Sequence, residues 1–347
     1  MTDFRLATAA DEELLRSLMR ENGMPTWVEM AIEREPSSFD GHVFGRDWAV
    51  IAEEENAVVG MYTAAVLPVH VNGRPEQLGY LGGMRLSAPH RHRIRHVREG
   101  YASIRRLAPL GGTLPWWFTV VASENAIARR LLESGVRGLP CYHPVGDICT
   151  FGLPTARGKR GDAWRTAGEA DLPRLLEFHA DCAARFQFSP VLREELVRRI
   201  GLERFLVHAR GGELRGVAAL WDQRAFKHIV ARRYRRPIGA LVPAYNAYAR
   251  VFRRIPLPRQ GQALDQTFLA FLALDEGSLE HADALLRDLL SRCTTPVASI
   301  GLSAAHPLVP ALERLKPMRY PARVYAVSFE GRPDVGDLPV QPEVALL

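Results

Sequence analysis

The sequence predicts two tandem copies of one α+β domain. Phe4-Arg5-x-Ala7-x-x-Ala10-Asp11 recurs with the same spacing as Trp164-Arg165-x-Ala167-x-x-Ala170-Asp171, so that 160 residues separate Phe4 from Trp164. A second match, residues 51–60 against 207–216, has nearly the same offset, with 156 residues between Ile51 and Val207. Two independent matches at one offset are the signature of an internal repeat. The 347 residues leave room for two or three domains, and 47% hydrophobic against 24% charged residues is the balance of a globular chain.

The first match reads in both copies as a short strand, a turn and a helix capped by aspartate, with leucines following at helical spacing. The second reads as two strands around a polar turn. The first copy continues with a strand over 78–86, a basic turn, a helix from about 97 to 107 and a strand over 117–121. A helix from about 125 to 133 and strands over 141–143 and 146–151 complete it. Residues 154–162 have no apolar periodicity and two glycines, which marks them as a linker between domains at 1–153 and 163–347. The second copy keeps a strand over 268–274, a helix over 280–292, a strand over 297–302, a short helix over 308–315 and a last strand over 323–329. Residues 237–264 have no counterpart in the first copy, and 240–252 within them read as a helix. Its Tyr245, Tyr248 and Phe252 form a stripe expected to pack into a core or a domain interface.

The net charge is +6, and only Lys159, Lys227 and Lys316 are lysines, so the positive charge is nearly all arginine. Arginine suits phosphate contacts, but the bias follows equally from a coding preference. Charge alone does not establish nucleic-acid binding, which is not expected, and the run 232–236 reads as a solvated hairpin edge. Cys141, Cys149, Cys182 and Cys293 are too far apart for metal pairs and too sparse for a disulfide framework, so reduced core cysteines are expected. His179 and His306 lack metal partners at short spacing and read as structural; no metal is expected. No apolar run is long enough to span a membrane, and the N-terminus is acidic where a secretory signal is basic and then apolar. A cytoplasmic protein is expected.

A strand ending in Met84-Arg85-Leu86-Ser87-Ala88-Pro89-His90-Arg91, then an arginine-rich turn and a helix, resembles the acyl-CoA signature of the GNAT superfamily of N-acyltransferases. The run from Val121 through Asn125-Ala126-Ile127-Ala128-Arg129-Arg130-Leu131 to Gly135 is similar to that superfamily's Asn-x-x-Ala-x-x-Leu pattern before a glycine. The resemblance implies a mixed, mostly antiparallel sheet flanked by helices in each copy. It also implies direct transfer of an acyl group from acetyl-CoA or another acyl-CoA to the amine of a small molecule or peptide. A turn entering a helix N-terminus offers converging amide donors and the positive end of the helix dipole to a diphosphate. Carried over, the donor contacts fall on Met84, Arg85, Leu86, Arg91, His92, Arg93, Ile94, Arg95, His96 and Asn125. Ile94 and His96 stand where the family has glycine or another small residue, which leaves the arginines as phosphate ligands. Asp275 and Glu276 occupy the turn of the second copy, and like charge there repels CoA, so that half is expected to serve as scaffold, substrate wall or dimerisation surface.

The reaction needs a base for the ammonium proton, a donor to the thioester oxygen and an acid for the leaving thiolate. Leu132 occupies the position of the family's usual acidic tyrosine, and Tyr142 is the substitute acid. Glu124, after the fifth strand of the copy, and Glu76, before the fourth, are the candidate bases. The variable loops 24–44 and 68–76, with Trp27, Phe39 and Phe44, are the expected acceptor pocket. Two other readings stay open: a noncatalytic ligand- or partner-binding protein of the same fold, and an acyltransferase that takes its donor from acyl carrier protein.

Overall fold

The computed structural model describes residues 2–347 apart from 22, 26, 40–46, 56, 91, 92 and 112. The first half contains β1 (Asp3–Leu6), α1 (Glu12–Glu21), β2 (Met24–Pro25), β3 (Val28–Arg34), β4 (Asp47–Glu54), β5 (Ala57–Val71) and β6 (Arg74–Leu86). It continues with α2 (Ile94–Leu107), β7 (Trp117–Ala122), α3 (Ala126–Glu133) and β8 (Cys141–Pro154). The second half contains β9 (Arg165–Thr166), α4 (Leu172–Ala183), α5 (Glu194–Ile200), β10 (Phe205–Arg210), β11 (Glu213–Trp221), β12 (Lys227–Tyr234) and α6 (Ile238–Val251). After it come β13 (Gln266–Leu274), α7 (Glu276–Leu279), α8 (Ala282–Arg292), β14 (Val297–Ser303), α9 (Val309–Arg314) and β15 (Met318–Ser328).

The repeated sequence motif has a structural cause. Arg5 pairs with Asp11 at 2.8 Å, and Asp11 accepts the Thr8 amide at 2.8 Å. Arg165 and Asp171 repeat the pair at 2.6 Å, with Asp171 accepting the Gly168 amide at 2.8 Å. Each aspartate thus caps the turn that opens its helix and ties it to the preceding strand.

The strands form one 12-stranded mixed sheet in the order β1-β4-β5-β6-β7-β15-β8-β14-β13-β11-β10-β9. The order is nearly symmetric about its centre, and among the described residues its parallel strand pairs are only β6–β7 and β13–β14. At that centre the halves exchange their last strands: β15 pairs with β7, and β8 pairs with β14, both antiparallel. The sheet therefore runs without a break from the first half into the second. The segment 154–162 is pinned by Asp288, 1% exposed, which accepts amides of Gly161, Ala163 and Trp164 at 3.1 to 3.2 Å. Both faces are covered: Phe4, Val50, Ile104 and Trp117 lie in one core of the first half, Leu78, Phe118 and Phe188 in the other. Burial on both faces explains why β5 reads as an almost continuous apolar run rather than an alternating one.

Several sequence expectations change. The strands expected at 141–143 and 146–151 are one strand, β8. The loop 24–44 contains β3, which pairs with β12 in a separate three-stranded sheet. Residues 68–76 are the end of the β5–β6 hairpin, turning at Asn72 and Gly73. In the arginine run, Arg232 and Arg233 pair with Glu33 and Glu29 of β3 at 2.5 and 3.0 Å, so the run joins the two halves. On α6, Tyr248 and Phe252 are exposed while Val242 and Ala249 make the buried face, because the stripe sits on the side turned from the sheet. The cysteines are free thiols, but Cys141 is exposed and the other three only half-buried.

Candidate active site

Strands β6 and β7 are hydrogen-bonded in register only at Gly79–Trp117 and Tyr80–Phe118, then part. The parting begins beside a bulge. Thr63 of β5 faces Gly82 and Met61 faces Arg85, so β6 holds one extra residue there, and Gly83 takes φ +61°. Such a bulge bends its strand and steepens the twist, and glycine is the residue that takes this backbone without strain. Between the diverging strands lies a cavity of about 510 Å³.

Its floor is Leu81 and Gly82 on one strand and Thr119 to Ala122 on the other, with Thr119 Oγ1 donating to Leu81 O at 2.6 Å. Val97, Tyr101 and Ile104, spaced along one face of α2, form one wall, and Asn125, Ala128 and Leu132 of α3 form another. Tyr320 and Pro321 of β15 also line it, so the second half contributes directly. Tyr142 shares a hydrogen bond with Tyr101 and stands edge-on to Tyr325 with ring centres 5.5 Å apart. Burial pushes the Tyr101 phenol up to about 12, and burial with the neighbouring Tyr101 pushes Tyr142 well above its ordinary value. Both phenols therefore keep their protons at neutral pH.

A second cavity of about 180 Å³ shares Ile32, Thr63, Tyr80, Gly82, Gly83 and Arg85 with the first, so the two meet at the bulge. Asp47, Lys227 and Leu347 line its far side. Burial raises the Asp47 carboxyl to about 6 against the opposing charges of Arg34 and Arg199. Burial and Arg34 lower the Lys227 ammonium to about 7, and its Nζ donates to Leu347 O at 2.6 Å.

The sequence-predicted residues divide. Met84, Arg85, Glu124, Asn125 and Tyr142 line the first cavity together. Asn125 caps α3, accepting the Ala128 amide at 3.2 Å, which sets that helix beside the end of β7. Leu86 pairs with Gly60 one step beyond the bulge. Ile94 begins α2, three residues earlier than expected, with Arg93 as its cap residue. Arg93 and Arg95 reach Glu54 at 3.7 and 3.3 Å. His96 is buried toward Thr2 and Glu54, and it is the next residue, Val97, that faces the cavity. His96 therefore does not line the cavity. Arg91 and His92, like Phe44, lie outside the described residues. Glu76 sits near the far end of β6, opposite Val69 and separated from the cavity by Leu78. Asp47, Tyr101 and Tyr320 escaped the sequence reading. Tyr101 alone carried a local signal, a hydroxyl on the apolar Val97–Tyr101–Ile104 face.

The second half repeats the device and closes it. Strands β13 and β14 pair at only three positions, and Phe271 holds the bulge with φ +53°. The C-terminal tail fills the gap: Glu343 Oε2 accepts the Phe271 amide at 2.8 Å, and Gln341 Oε1 accepts that of Ser303 at 3.2 Å. Only about 20 Å³ remains there. Asp275 caps α7 by accepting the Ser278 amide at 2.9 Å, so a carboxylate already holds that helix start.

The chain is thus one α+β fold built twice with the last strands exchanged, and solved N-acyltransferases share that fold. Among solved structures, Saccharomyces cerevisiae N-myristoyltransferase with bound myristoyl-CoA is similar at TM-score 0.60 and 11% identity, covering 96% of this chain and 84% of that one. A GCN5-related N-acetyltransferase from Anabaena variabilis is similar at TM-score 0.50 and 10% identity, over 94% of this chain and 72% of that one. A probable N-acyltransferase from Enterococcus faecalis V583 gives TM-score 0.50 and 9% identity, over 95% and 73%. Identities this low establish a shared fold. No family model and no curated protein sequence matches the chain. Among the described residues, no helix is long and apolar enough to cross a membrane.

Proposed function

We propose that the protein is an acyl-CoA-dependent N-acyltransferase whose active site is the cleft between β6 and β7. The observation that carries this reading is the cavity opened by the β6 bulge, with the start of α2 at its mouth and a second cavity joined to it at Gly82 and Gly83. The pantetheine arm of the donor lies between the strands, its amides meeting β6 backbone groups that the bulge takes out of the regular ladder. The diphosphate meets the first-turn amides of α2 and the arginines of that turn. The acceptor amine enters from the second cavity.

Asp47 takes the proton of the ammonium, a role suited to a carboxyl raised to about 6, close to working pH. The free amine attacks the thioester carbonyl, forming the amide N–C bond. The C–S bond then breaks; Tyr142 protonates the departing thiolate while the attacking nitrogen gives up its second proton to the hydrogen-bonded Tyr101–Tyr142 pair, which ends neutral. The second half supplies Tyr320 to the cavity and occupies its own gap with the chain's tail, which supports a single working site.

Calorimetric titration with acetyl-CoA and with myristoyl-CoA tests the donor, and thiol release in the presence of an amine panel tests transfer. Binding of either donor, with thiol release that depends on amine, is expected. Absence of binding by both overturns the reading.

A further inference from the structure

We propose that Glu54, His90 and His96 form a binding site for one divalent transition cation of the zinc type, placed beneath the first turn of α2. This inference stands apart from acyl transfer, because none of the three residues lines either cavity.

Three separate segments bring the ligands together: the end of β4, the turn after β6 and the first turn of α2. One ligand atom from each residue lies within 4.8 Å of the other two. His96 Nε2 is 3.6 Å and His90 Nε2 is 4.0 Å from Glu54 Oε2. A tetrahedral cation with bonds of about 2.1 Å spaces its ligand atoms roughly 3.4 Å apart, so a contraction of at most about 1.4 Å between any two of them completes the geometry. Two imidazoles and a carboxylate are a donor set suited to zinc and its neighbours, with water in the fourth position.

The outer partners point the same way. His96 Nδ1 meets Thr2 Oγ1 at 3.0 Å, and His90 Nδ1 meets Ser87 Oγ at 2.9 Å. With each Nδ1–H given to a hydroxyl, each Nε2 presents its lone pair toward Glu54, the arrangement that orients ligating histidines. The His96 side chain is 1% exposed, and its Nε2 is buried with no hydrogen-bond partner. A lone pair buried beside a carboxylate is unfavourable unless a proton or a cation stands between them. Arg93 and Arg95 also reach Glu54, but their side chains are 60% and 56% exposed, and Arg95 keeps Glu99 as a partner at 3.0 Å. Both can turn to solvent when the cation takes the carboxylate. The cation would clamp the start of α2 to the end of β4.

The test uses the full chain stripped with a chelator and titrated with Co²⁺, with circular dichroism confirming that each variant is folded. One equivalent of Co²⁺ giving the visible absorption of near-tetrahedral coordination, displaced by Zn²⁺, is expected. His90→Ala and Glu54→Gln, both at partly exposed positions, are expected to weaken binding at least about tenfold, and Thr2→Val about tenfold through loss of ring orientation. His96→Ala removes a buried ligand and is informative only if folded, so His90→Ala is the deciding variant. A wild-type chain that shows no such spectrum, or a spectrum that survives unchanged in His90→Ala and Glu54→Gln, overturns the proposal.

Discussion

Replacing Gly83 by alanine tests the bulge on which the cleft depends. At φ +61° an L-residue carries a penalty of about 1–2 kcal/mol. The new Cβ would also stand 2.7 Å from Thr63 Oγ1 and 3.1 Å from its Cγ2. Thr63 is β-branched and lies on the neighbouring strand, so it yields only by leaving its rotamer, at about 1 kcal/mol. Stiffening of the unfolded chain returns somewhat under about 1 kcal/mol. The net expectation is a loss of about 2 kcal/mol, a fall in Tm of roughly 3 °C for a chain of this size. Gly82→Ala is the control. Its Cβ would meet the Tyr80 ring edge at 2.9 Å, the far end of a side chain that can swing, and its φ is not positive, so a loss below about 1 kcal/mol is expected. Phe271 shows that a side chain can occupy the equivalent bulge, but there 2% exposure of a phenylalanine offsets the strain. Calorimetric melting reads the stability and donor titration reads the cleft. A Gly83→Ala protein as stable as Gly82→Ala, with unchanged donor affinity, refutes the reasoning.

Two further outcomes follow from buried carboxylates. Asp47 has a folded value of about 6, above the ordinary 3.8, so the folded state holds its proton more tightly. Stability is therefore lost as pH rises from about 4 through 6, and Asp47→Asn is expected to be more stable than wild type above pH 6 by urea unfolding. The same variant should lose the ascending limb of the pH–rate profile near pH 6, and a limb that persists removes Asp47 as the base. Asp288→Ala strips three buried amides and Arg292 of their acceptor, for an expected loss of about 3 kcal/mol or more. Amide hydrogen exchange at Gly161, Ala163 and Trp164 should accelerate in that variant, and unchanged exchange there shows that the segment is held by other contacts.

The duplication was legible in the sequence because each copy stabilises its opening turn with the same local chemistry, an arginine six residues before a capping aspartate. Helices and strands with a single buried face announced themselves in the same way, as did the Asn125 cap, whose partner is three residues away. Much of the site was local too: Met84, Arg85, Glu124, Asn125 and Tyr142 all lie within the stretch from β6 to β8, and the fold brings them to one cavity. What sequence spacing could not show is anything made by strands meeting across the chain. The placing of β15 between β7 and β8 brings Tyr320 to a cavity of the first half from nearly 200 residues beyond Asn125. Residues 341–343, which follow β15, close the second gap, and the β4–β5 pairing sets Asp47 at the second cavity. His96, which looked like an obstruction to the diphosphate, turns under the helix because Thr2, just before β1, and Glu54, at the end of β4, lie to one side of it. Helix direction decides whether residue 96 or 97 faces the cleft, and only the packed sheet fixes that direction.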